Sequence, residues 1–313
     1  MPRADPWSRQ DACGINTDSF GAPGGGTLSS VESTPRASRT LAVVNQKGGV
    51  GKTTSAVNLA ASFAACERRT LLVDVDPQAN ATSAFGGPQG TPHIYDALIG
   101  RCVMKEVARP TELEFLHLVP SGRDLYGAEI ELVSTVARER KLERALAELR
   151  PGYELILLDC PPSLGLLTVN ALTAADAVLI PLQCEYYALE GLAGLLDTIE
   201  LVRGELNPGL SLEGIVLTMA DRRNRLSRQV EEEVRGHFGE QVYTTVIPRN
   251  VRLSEAPSHG KPVLLYDVHS SGAVAYLQLA EEILRRLGAA PHAVRAASAH
   301  TLPTATLGGD TDE

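Results

Sequence analysis

Aromatic side chains and long apolar runs are both scarce in this chain. Phe, Trp and Tyr make up only 4% of its 313 residues while 43% are hydrophobic, so the core must consist mainly of Ala, Val, Leu and Ile. No apolar run approaches the roughly 20 residues that a membrane-spanning helix needs, and the first residues lack the apolar segment of a signal peptide. We therefore expect a cytoplasmic protein without a membrane partner.

Cysteine is also sparse, and its spacing argues against several kinds of site. The five cysteines are odd in number and form no C-x-x-C pair; they are Cys13, Cys66, Cys102, Cys160 and Cys184. This pattern is typical of small buried side chains in a reducing compartment rather than of disulfides or metal centres. The net charge of −9 is unfavourable for a polyanionic partner, so any nucleic-acid contact must come from a local basic patch.

Composition divides the chain into three parts. Residues 1–38 are rich in Gly, Ser, Pro and Thr and show no hydrophobic period, and residues 288–313 turn to Ala, Pro, Thr and Gly before an acidic end. We expect a disordered N-terminal extension and a flexible C-terminal tail, with one folded domain over residues 39–287.

Apolar runs alternate with helical patterns through the middle part. Continuous Val, Ile and Leu runs predict strands buried on both faces, at residues 40–45, 70–75, 114–119, 154–159, 177–182 and 212–218. The helical patterns lie at residues 53–66, 124–136, 139–149, 165–174, 188–205, 226–237 and 272–287. This alternation predicts an α/β fold, a doubly wound and mainly parallel sheet flanked by helices, with a ligand at the carboxyl ends of the strands.

A glycine-rich loop follows the first predicted strand, with the sequence Asn-Gln-Lys-Gly-Gly-Val-Gly-Lys-Thr-Thr over residues 45–54. Its glycines let the backbone curl with N–H groups pointing inward, at the start of a helix whose dipole favours anions. Lys52 can then reach the β- and γ-phosphates of a nucleotide, and the Thr53 hydroxyl can hold Mg²⁺. The pattern predicts a phosphate-binding loop, although Gln46 occupies the position of the usual first glycine.

Two of the predicted strands end in carboxylates. Asp74 and Asp76 close one strand before Pro77, and Asp159 closes a later strand before Pro161. Beside a nucleotide, one such carboxylate can hold a Mg²⁺-bound water while another orients or deprotonates the attacking water. The prolines turn the chain sharply out of each strand, which favours loops that differ between nucleotide states. The alternative is that Asp74 and Asp159 only end their strands and cap the following turns.

Lys47 is a second cation beside the loop. Within one subunit a second cation is not needed here, because Lys52 already binds the γ-phosphate. Lys47 is therefore either an ordinary solvated lysine or a residue that points outward, towards the phosphates of a facing subunit. Residues 47–53 resemble the deviant Walker A motif, and the chain is identified on it as a member of the ParA/Soj family of chromosome- and plasmid-partitioning ATPases. Other strings that resemble this family lie at residues 74–82, 158–163, 185–191 and 246–257.

The resemblance implies an ATPase that forms a sandwich dimer around ATP and Mg²⁺. It implies that Lys47 contacts the nucleotide of the partner subunit, that Asp76 serves the hydrolytic water, and that Thr53 and Asp159 lie at the metal. The nucleotide-binding residues that it implies are Lys47, Gly48, Gly49, Val50, Gly51, Lys52, Thr53 and Thr54, with Pro248 and Asn250 bordering the adenine. It further implies slow hydrolysis, stimulated by a ParB-like centromere-binding protein, in a nucleoid-associated homodimer that positions chromosome or plasmid origins.

Arginines cluster after the last predicted strand. Four lie within residues 222–228, and no aromatic side chain lies among them, so they predict salt-sensitive contact with DNA phosphates rather than base stacking. The resemblance implies that Arg223 and Arg252 bind double-stranded DNA without sequence preference. The alternative is a solvated basic face balanced by the three glutamates at residues 231–233.

Three other functions remain as alternatives. A membrane-associated cell-division regulator of the MinD type needs a basic amphipathic helix at its C-terminus. Here the last predicted helix has apolar residues at core spacing and an acidic tail follows, which argues against it. An iron–sulfur carrier needs paired cysteines and a small-molecule kinase needs an arginine-rich lid, and neither pattern is evident.

Overall fold

A computed structural model describes residues 38–87, 92–185, 188–221 and 223–288. These residues form a seven-stranded sheet with the strand order β3-β4-β2-β5-β1-β6-β7, in which all neighbours are parallel except the antiparallel edge pair β3–β4. The strands are β1 Arg39–Val43, β2 Thr70–Asp74, β3 Arg109–Pro110, β4 Leu116–Val119, β5 Leu155–Asp159, β6 Ala177–Gln183 and β7 Ser211–Thr218. The predicted α/β fold with a mainly parallel sheet is confirmed.

Helices cover both faces of the sheet. They are α1 Lys52–Ala65, α2 Asn80–Ser83, α3 Ile94–Leu98, α4 Met104–Val107, α5 Leu125–Glu131, α6 Lys141–Leu146, α7 Leu166–Ala174, α8 Ala188–Glu205, α9 Arg225–Phe238, α10 Val251–Glu255, α11 Val263–Tyr266 and α12 Ser271–Arg286. Among the described residues, none of these helices is long and apolar enough to cross a membrane.

The sheet is buried on both sides, as the continuous apolar runs predict. In β1 and the residue after it, Leu41 and Val43 face the layer that contains α1 and α12, whereas Ala42 and Val44 face the opposite layer, and all four are fully buried. Successive side chains of a strand point to opposite faces, so a strand covered twice needs apolar residues at every position.

Several helices differ from the sequence prediction. The predicted helix at residues 124–136 is α5 followed by a single 3₁₀ turn over Leu132–Ser134, and Ala137 interrupts the path to α6 with a φ of 54°. The short helices α2, α3, α4, α10 and α11 were not predicted, because four or five residues are too few to show a hydrophobic period. The expectations for residues 1–37 and 289–313 lie outside the described residues.

The sheet order places three functional segments side by side. β5 lies between β1 and β2, and Asp159 at the end of β5 is in register with Val43 of β1 and with Asp74 of β2. Because these strands are parallel, their carboxyl ends share one edge of the sheet. The glycine loop after β1 and both acidic strand ends therefore meet there.

Candidate nucleotide-binding site

The glycine loop leads directly into the N-terminus of α1. Gly49 and Gly51 have φ values of 77° and 90°, a left-handed backbone conformation that residues with a Cβ rarely adopt. Gly51 occupies the N-cap position of α1, no side chain caps the helix there, and its first turn contains no acidic residue. The first N–H groups of the 14-residue helix are therefore available to an anion, with the helix dipole in their favour.

Hydrogen bonds attach the loop to two neighbouring strands. The Thr218 hydroxyl at the end of β7 donates to the Val50 carbonyl over 2.8 Å. The Asn45 side chain donates to the Pro181 carbonyl of β6 over 2.8 Å and accepts the backbone N–H of Lys47 over 2.9 Å. These hydrogen bonds fix the conformation of the loop, which reduces the entropy cost of binding a ligand.

Lys52 is a buried cation at the base of this loop. Its side chain donates to the Lys47 carbonyl over 3.0 Å and forms no ion pair with any described residue. Burial lowers the pKa of the Lys52 ammonium, and the nearby carboxylates of Asp159 and Asp76 act against that shift. An ammonium held by one carbonyl in a desolvated position still lacks a counter-ion, which a phosphate group can supply.

Asp159 is the least satisfied polar side chain of the site. It is fully buried, and neither of its carboxylate oxygens has a hydrogen-bond partner among the described residues. Burial, followed by the charge of Asp74, raises the pKa of Asp159 well above its usual range, while the nearby Thr53 hydroxyl and Lys52 act in the opposite direction. A buried carboxylate without donors is costly, so this one is poised for a cation.

Asp74 is equally buried but is hydrogen-bonded. Its two oxygens accept the backbone N–H of Thr82 over 2.7 Å and that of Asp76 over 3.2 Å. Burial raises the pKa of Asp74 to about 7, and these hydrogen bonds act against the shift. Asp74 therefore caps the turn that follows its strand, which is the alternative that the sequence left open, whereas Asp159 caps nothing.

Asp76 lies just beyond the end of β2, in a segment that is bound to β4. Its carboxylate accepts the N–H of Gln78 over 2.9 Å, and its carbonyl accepts the Ser121 hydroxyl over 2.8 Å. The backbone N–H of Ser121 in turn donates to the Thr82 hydroxyl over 2.9 Å. Thr82 ends a string that resembles the family, but nothing in the sequence indicated its contact with Ser121, because the two residues are distant along the chain.

The residues present fit a magnesium ion. Among the described residues, no group of three or more His, Cys, Asp or Glu side chains is arranged as a metal site of its own. Mg²⁺, however, is usually held by one or two protein oxygen ligands together with phosphate groups and water. The orphaned Asp159 carboxylate and the nearby Thr53 hydroxyl provide such oxygens.

Lys47 lies at the outer shoulder of the loop and is paired within its own chain. Its ammonium is 2.6 Å from the Glu185 carboxylate, and the side chains are 44% and 47% exposed. The other Glu185 oxygen accepts the Gln183 amide over 2.6 Å. Neither interpretation of Lys47 from the sequence included this pairing. The contact of Lys47 with a partner's nucleotide stays a prediction.

Known proteins identify the family. Residues 38–212 match the family described as an AAA domain. A chromosome partitioning protein ParA of Myxococcus xanthus is 58% identical over 250 residues, which are 79% of this chain and 88% of that protein. A sporulation initiation inhibitor protein Soj of Bacillus subtilis is 55% identical over 245 residues, 78% of this chain and 97% of that protein. The chain belongs to the ParA/Soj family.

A solved structure with the same fold as this ParA/Soj chain contains a nucleotide. It is described as cobyrinic acid a,c-diamide synthase from Mycobacterium smegmatis with bound ADP and magnesium. Its sequence is 38% identical, its TM-score is 0.71, and the match covers 80% of this chain and 96% of that one. The predicted family and fold class are both confirmed.

Pro248 and Asn250 lie beside the end of β7. Pro248 forms a parallel bridge with Ala220, and the neighbouring Met219 side chain is 3.8 Å from the position that a Cβ on Gly51 would occupy. The Asn250 side chain accepts the N–H of Arg252 at the start of α10 and donates to the Ser271 hydroxyl over 2.7 Å. The structure thus places Pro248 at the strand end that lies beside the loop, whereas the Asn250 side chain is bound to α10 and Ser271; the contact of both residues with adenine stays a prediction.

The two predicted DNA-binding arginines of this ParA/Soj chain differ in their surroundings. Arg223 is exposed and has no ion pair with a described residue, while Arg222 is not among the described residues. Arg252 is also half exposed, but its guanidinium is 2.8 Å from Glu255 and 3.4 Å from Asp267. Arg252 must leave or share these carboxylates before it can bind a phosphate.

Proposed function

We propose that this ParA/Soj protein is an ATP-dependent DNA-segregation switch. Binding of ATP and Mg²⁺ joins two subunits, the dimer binds DNA without sequence preference, and hydrolysis releases it, so that chromosome or plasmid origins are moved or positioned. One observation carries the nucleotide-binding part of the proposal: an uncapped helix N-terminus, an unpaired buried lysine and an orphaned buried carboxylate converge on one edge of the sheet. A nucleotide with its magnesium satisfies all three.

Each residue of the loop has a role in holding the nucleotide. The N–H groups of residues 48–54 surround the phosphates, and Lys52 neutralises the β- and γ-phosphates from the buried side. Thr53 and Asp159 hold the metal, which supplies charge stabilisation at the phosphates when bound. Lys47 reaches the nucleotide of the second subunit, and Pro248 and Asn250 border its own adenine.

Hydrolysis depends on Asp76, which orients the attacking water. In the described state, the Asp76 carboxylate already accepts the N–H of Gln78, and the segment that follows is bound through Ser121. One accepted N–H leaves the Asp76 carboxylate able to accept a water, but the Ser121 contacts hold its segment in one arrangement, so we expect the water to be aligned only after this segment rearranges. Slow intrinsic turnover follows, and a ParB-like partner stimulates hydrolysis by favouring the rearranged segment.

DNA binding depends on exposed arginines in each subunit. Arg223 and Arg252 contact phosphates, and the dimer doubles the number of contacts, so affinity rises steeply when ATP joins the subunits. The cationic patch has to act locally, because the whole chain carries a net charge of −9. Nucleoid association in the ATP state follows.

The deciding experiment measures ATP turnover and oligomer mass, with and without DNA and a candidate ParB-like protein. We expect an ATP-dependent dimer on DNA and a turnover that rises only when partner and DNA are both present. Asp76→Ala is expected to trap the DNA-bound dimer with intact ATP, and Lys52→Ala to abolish nucleotide binding. A monomeric Asp76→Ala protein in the presence of ATP contradicts the proposal.

The alternative is a membrane-associated regulator of the MinD type. The last described helix, α12, uses its apolar face in the core, where Tyr276, Leu279 and Ile283 are fully or almost fully buried. Its terminal Arg286 packs over the Tyr243 ring and pairs with Glu282, so it is engaged within the fold. A salt titration of DNA affinity beside a liposome sedimentation assay, both with ATP, separates the two functions.

A further inference from the structure

The pair formed by Lys47 and Glu185 joins the outer shoulder of the phosphate loop to the end of β6. The ammonium and the carboxylate are 2.6 Å apart, and the second Glu185 oxygen is held by the Gln183 amide. Both Glu185 oxygens are therefore in use, and the backbone N–H of Glu185 donates to the Gln183 carbonyl over 2.8 Å. Glu185 is oriented by its own strand before it meets Lys47.

Neighbouring contacts support the same attachment. Asn45 is bound to the Pro181 carbonyl of β6. The Gln46 amide lies 3.7 Å from the position that a Cβ on Gly194 of α8 would occupy. Asn45 and Lys47 thus contact β6 or the chain just after it, and Gln46 lies beside α8. The side chain of Lys47 is fixed towards its own subunit.

We propose that Glu185 is a positioning residue that retains Lys47 on its own subunit and so sets the threshold for ATP-dependent dimerisation. This inference rests on the proposed function, in which Lys47 serves the nucleotide of a second subunit. In the proposal, the Lys47 ammonium leaves Glu185 when it reaches across the interface. The pair must open first, and the larger negative charge of a triphosphate on the facing subunit replaces the single charge of Glu185.

The exposure of the pair sets the size of the effect. Because both side chains are nearly half exposed, water and salt screen the attraction between them. Opening one pair of this kind lowers the equilibrium constant for dimerisation by a factor of about 1.4 to 5. Two pairs open when a symmetric dimer forms, so the combined factor is about 2 to 30. Such a retention raises the ATP-protein concentration needed for dimerisation without preventing it.

The test compares Glu185→Gln with the wild-type protein in the presence of a non-hydrolysable ATP analogue. The monomer–dimer dissociation constant, measured by sedimentation velocity, is expected to fall about 2- to 30-fold in the variant. The gain is expected to shrink at high salt, and nucleotide affinity of the dilute monomer is expected to stay the same. Glu185→Asp, which keeps the charge, is expected to remain closer to the wild type.

Glu200→Gln is a matched control. Glu200 forms a pair of the same kind with Arg203, 2.7 Å apart, but on the α8 surface, where the Glu200 side chain is 64% exposed. The Glu200→Gln substitution removes the same charge as Glu185→Gln, so this variant reports any general effect of net charge on dimerisation. We expect the dissociation constant of this variant to equal that of the wild type, and thermal unfolding verifies that each variant is folded.

Two further variants separate the inference from the function on which it rests. If Lys47→Ala dimerises as well as the wild type, the proposed role of Lys47 across the interface is wrong. If Lys47→Ala loses the dimer while Glu185→Gln leaves the dissociation constant unchanged or raises it, only the retention is overturned. Adding Glu185→Gln to Lys47→Ala is expected to recover nothing, since the residue to be released is absent; recovery also overturns the inference.

Discussion

Replacing Asp159 by Asn is expected to stabilise the ligand-free protein and to abolish its response to magnesium nucleotide. The carboxylate is fully buried, has no hydrogen-bond partner among the described residues and lies in register with the equally buried Asp74. Leaving a buried polar group unsatisfied costs about 1 to 3 kcal/mol, and more for a charged one. An amide of the same shape carries no charge, so the part of this cost that comes from burying a charge disappears.

The expected gain can be measured by thermal unfolding. A change of about 1 to 3 kcal/mol corresponds to a Tm increase of about 2 to 12 °C for a fold of this size. Burial raises the pKa of Asp159, so the native wild-type protein holds this proton more tightly than the unfolded chain does. Wild-type stability therefore falls as pH rises from the ordinary carboxyl range towards the raised pKa, and the advantage of the variant grows in the same direction.

The same scan with Mg²⁺ and ADP tests the function of the carboxylate. A ligand at 100 times its Kd stabilises a protein by about 2.7 kcal/mol, and we expect this stabilisation in the wild type but not in Asp159→Asn. The matched control is Asp176→Asn, at the opposite edge of the sheet. The Asp176 carboxylate accepts the N–H of Thr40 and the Arg150 guanidinium, both over 2.7 Å, so this variant is expected to lose about 1 to 2 kcal/mol. A less stable ligand-free Asp159→Asn protein, or one with a full nucleotide response, refutes the reasoning.

Three other predictions concern DNA binding, packing and pH. Arg223→Ala is expected to weaken DNA affinity and to lower the slope of log affinity against log salt by about 1 per lost contact, with a smaller effect for Arg252→Ala, which is already paired. Gly214→Ala places a Cβ 2.6 Å from the Tyr243 ring and is expected to lose about 1 to 3 kcal/mol in urea unfolding; unchanged stability contradicts the packing described. Burial raises the pKa of Glu282, but hydrogen bonds from two backbone N–H groups, a threonine hydroxyl and an arginine outweigh it and lower the pKa below 4.5. The ionised Glu282 therefore stabilises the wild-type protein fully above pH 4.5, and this stabilisation is lost as pH falls through the lowered pKa. Glu282→Gln is expected to be less stable than the wild type at neutral pH, and the stabilities of the two proteins are expected to converge in acid.

The strands were predictable because their signal is local. A strand covered on both faces needs apolar residues at every position, and the six runs of this kind all correspond to strands of the sheet. The edge strand β3 has two residues, one of them Pro110, and its side chains are not buried on two faces. Its pairing with β4 is a tertiary contact without a pattern of its own.

The acidic residues show where sequence reasoning ends. Asp74 and Asp159 both close an apolar strand and both precede a proline-containing turn, so the sequence treats them alike. The structure distinguishes them, because the chain after β2 folds back and presents the N–H of Thr82 to Asp74, whereas no backbone N–H of the described residues is hydrogen-bonded to Asp159. The difference between the two carboxylates depends on the path of the segment after β2, and Ser121, which follows β4, holds that segment through the Thr82 hydroxyl.

By itself, the amino-acid sequence determined the α/β class, the family and the phosphate loop. Each depends on residues that are adjacent along the chain: apolar runs, and glycines that adopt a positive φ before a helix. Only the tertiary structure decided which carboxylate is orphaned and that Lys47 lies against Glu185. Those contacts depend on which strands are neighbours in the sheet, and charges that are distant along the chain meet only after the parallel strands have paired.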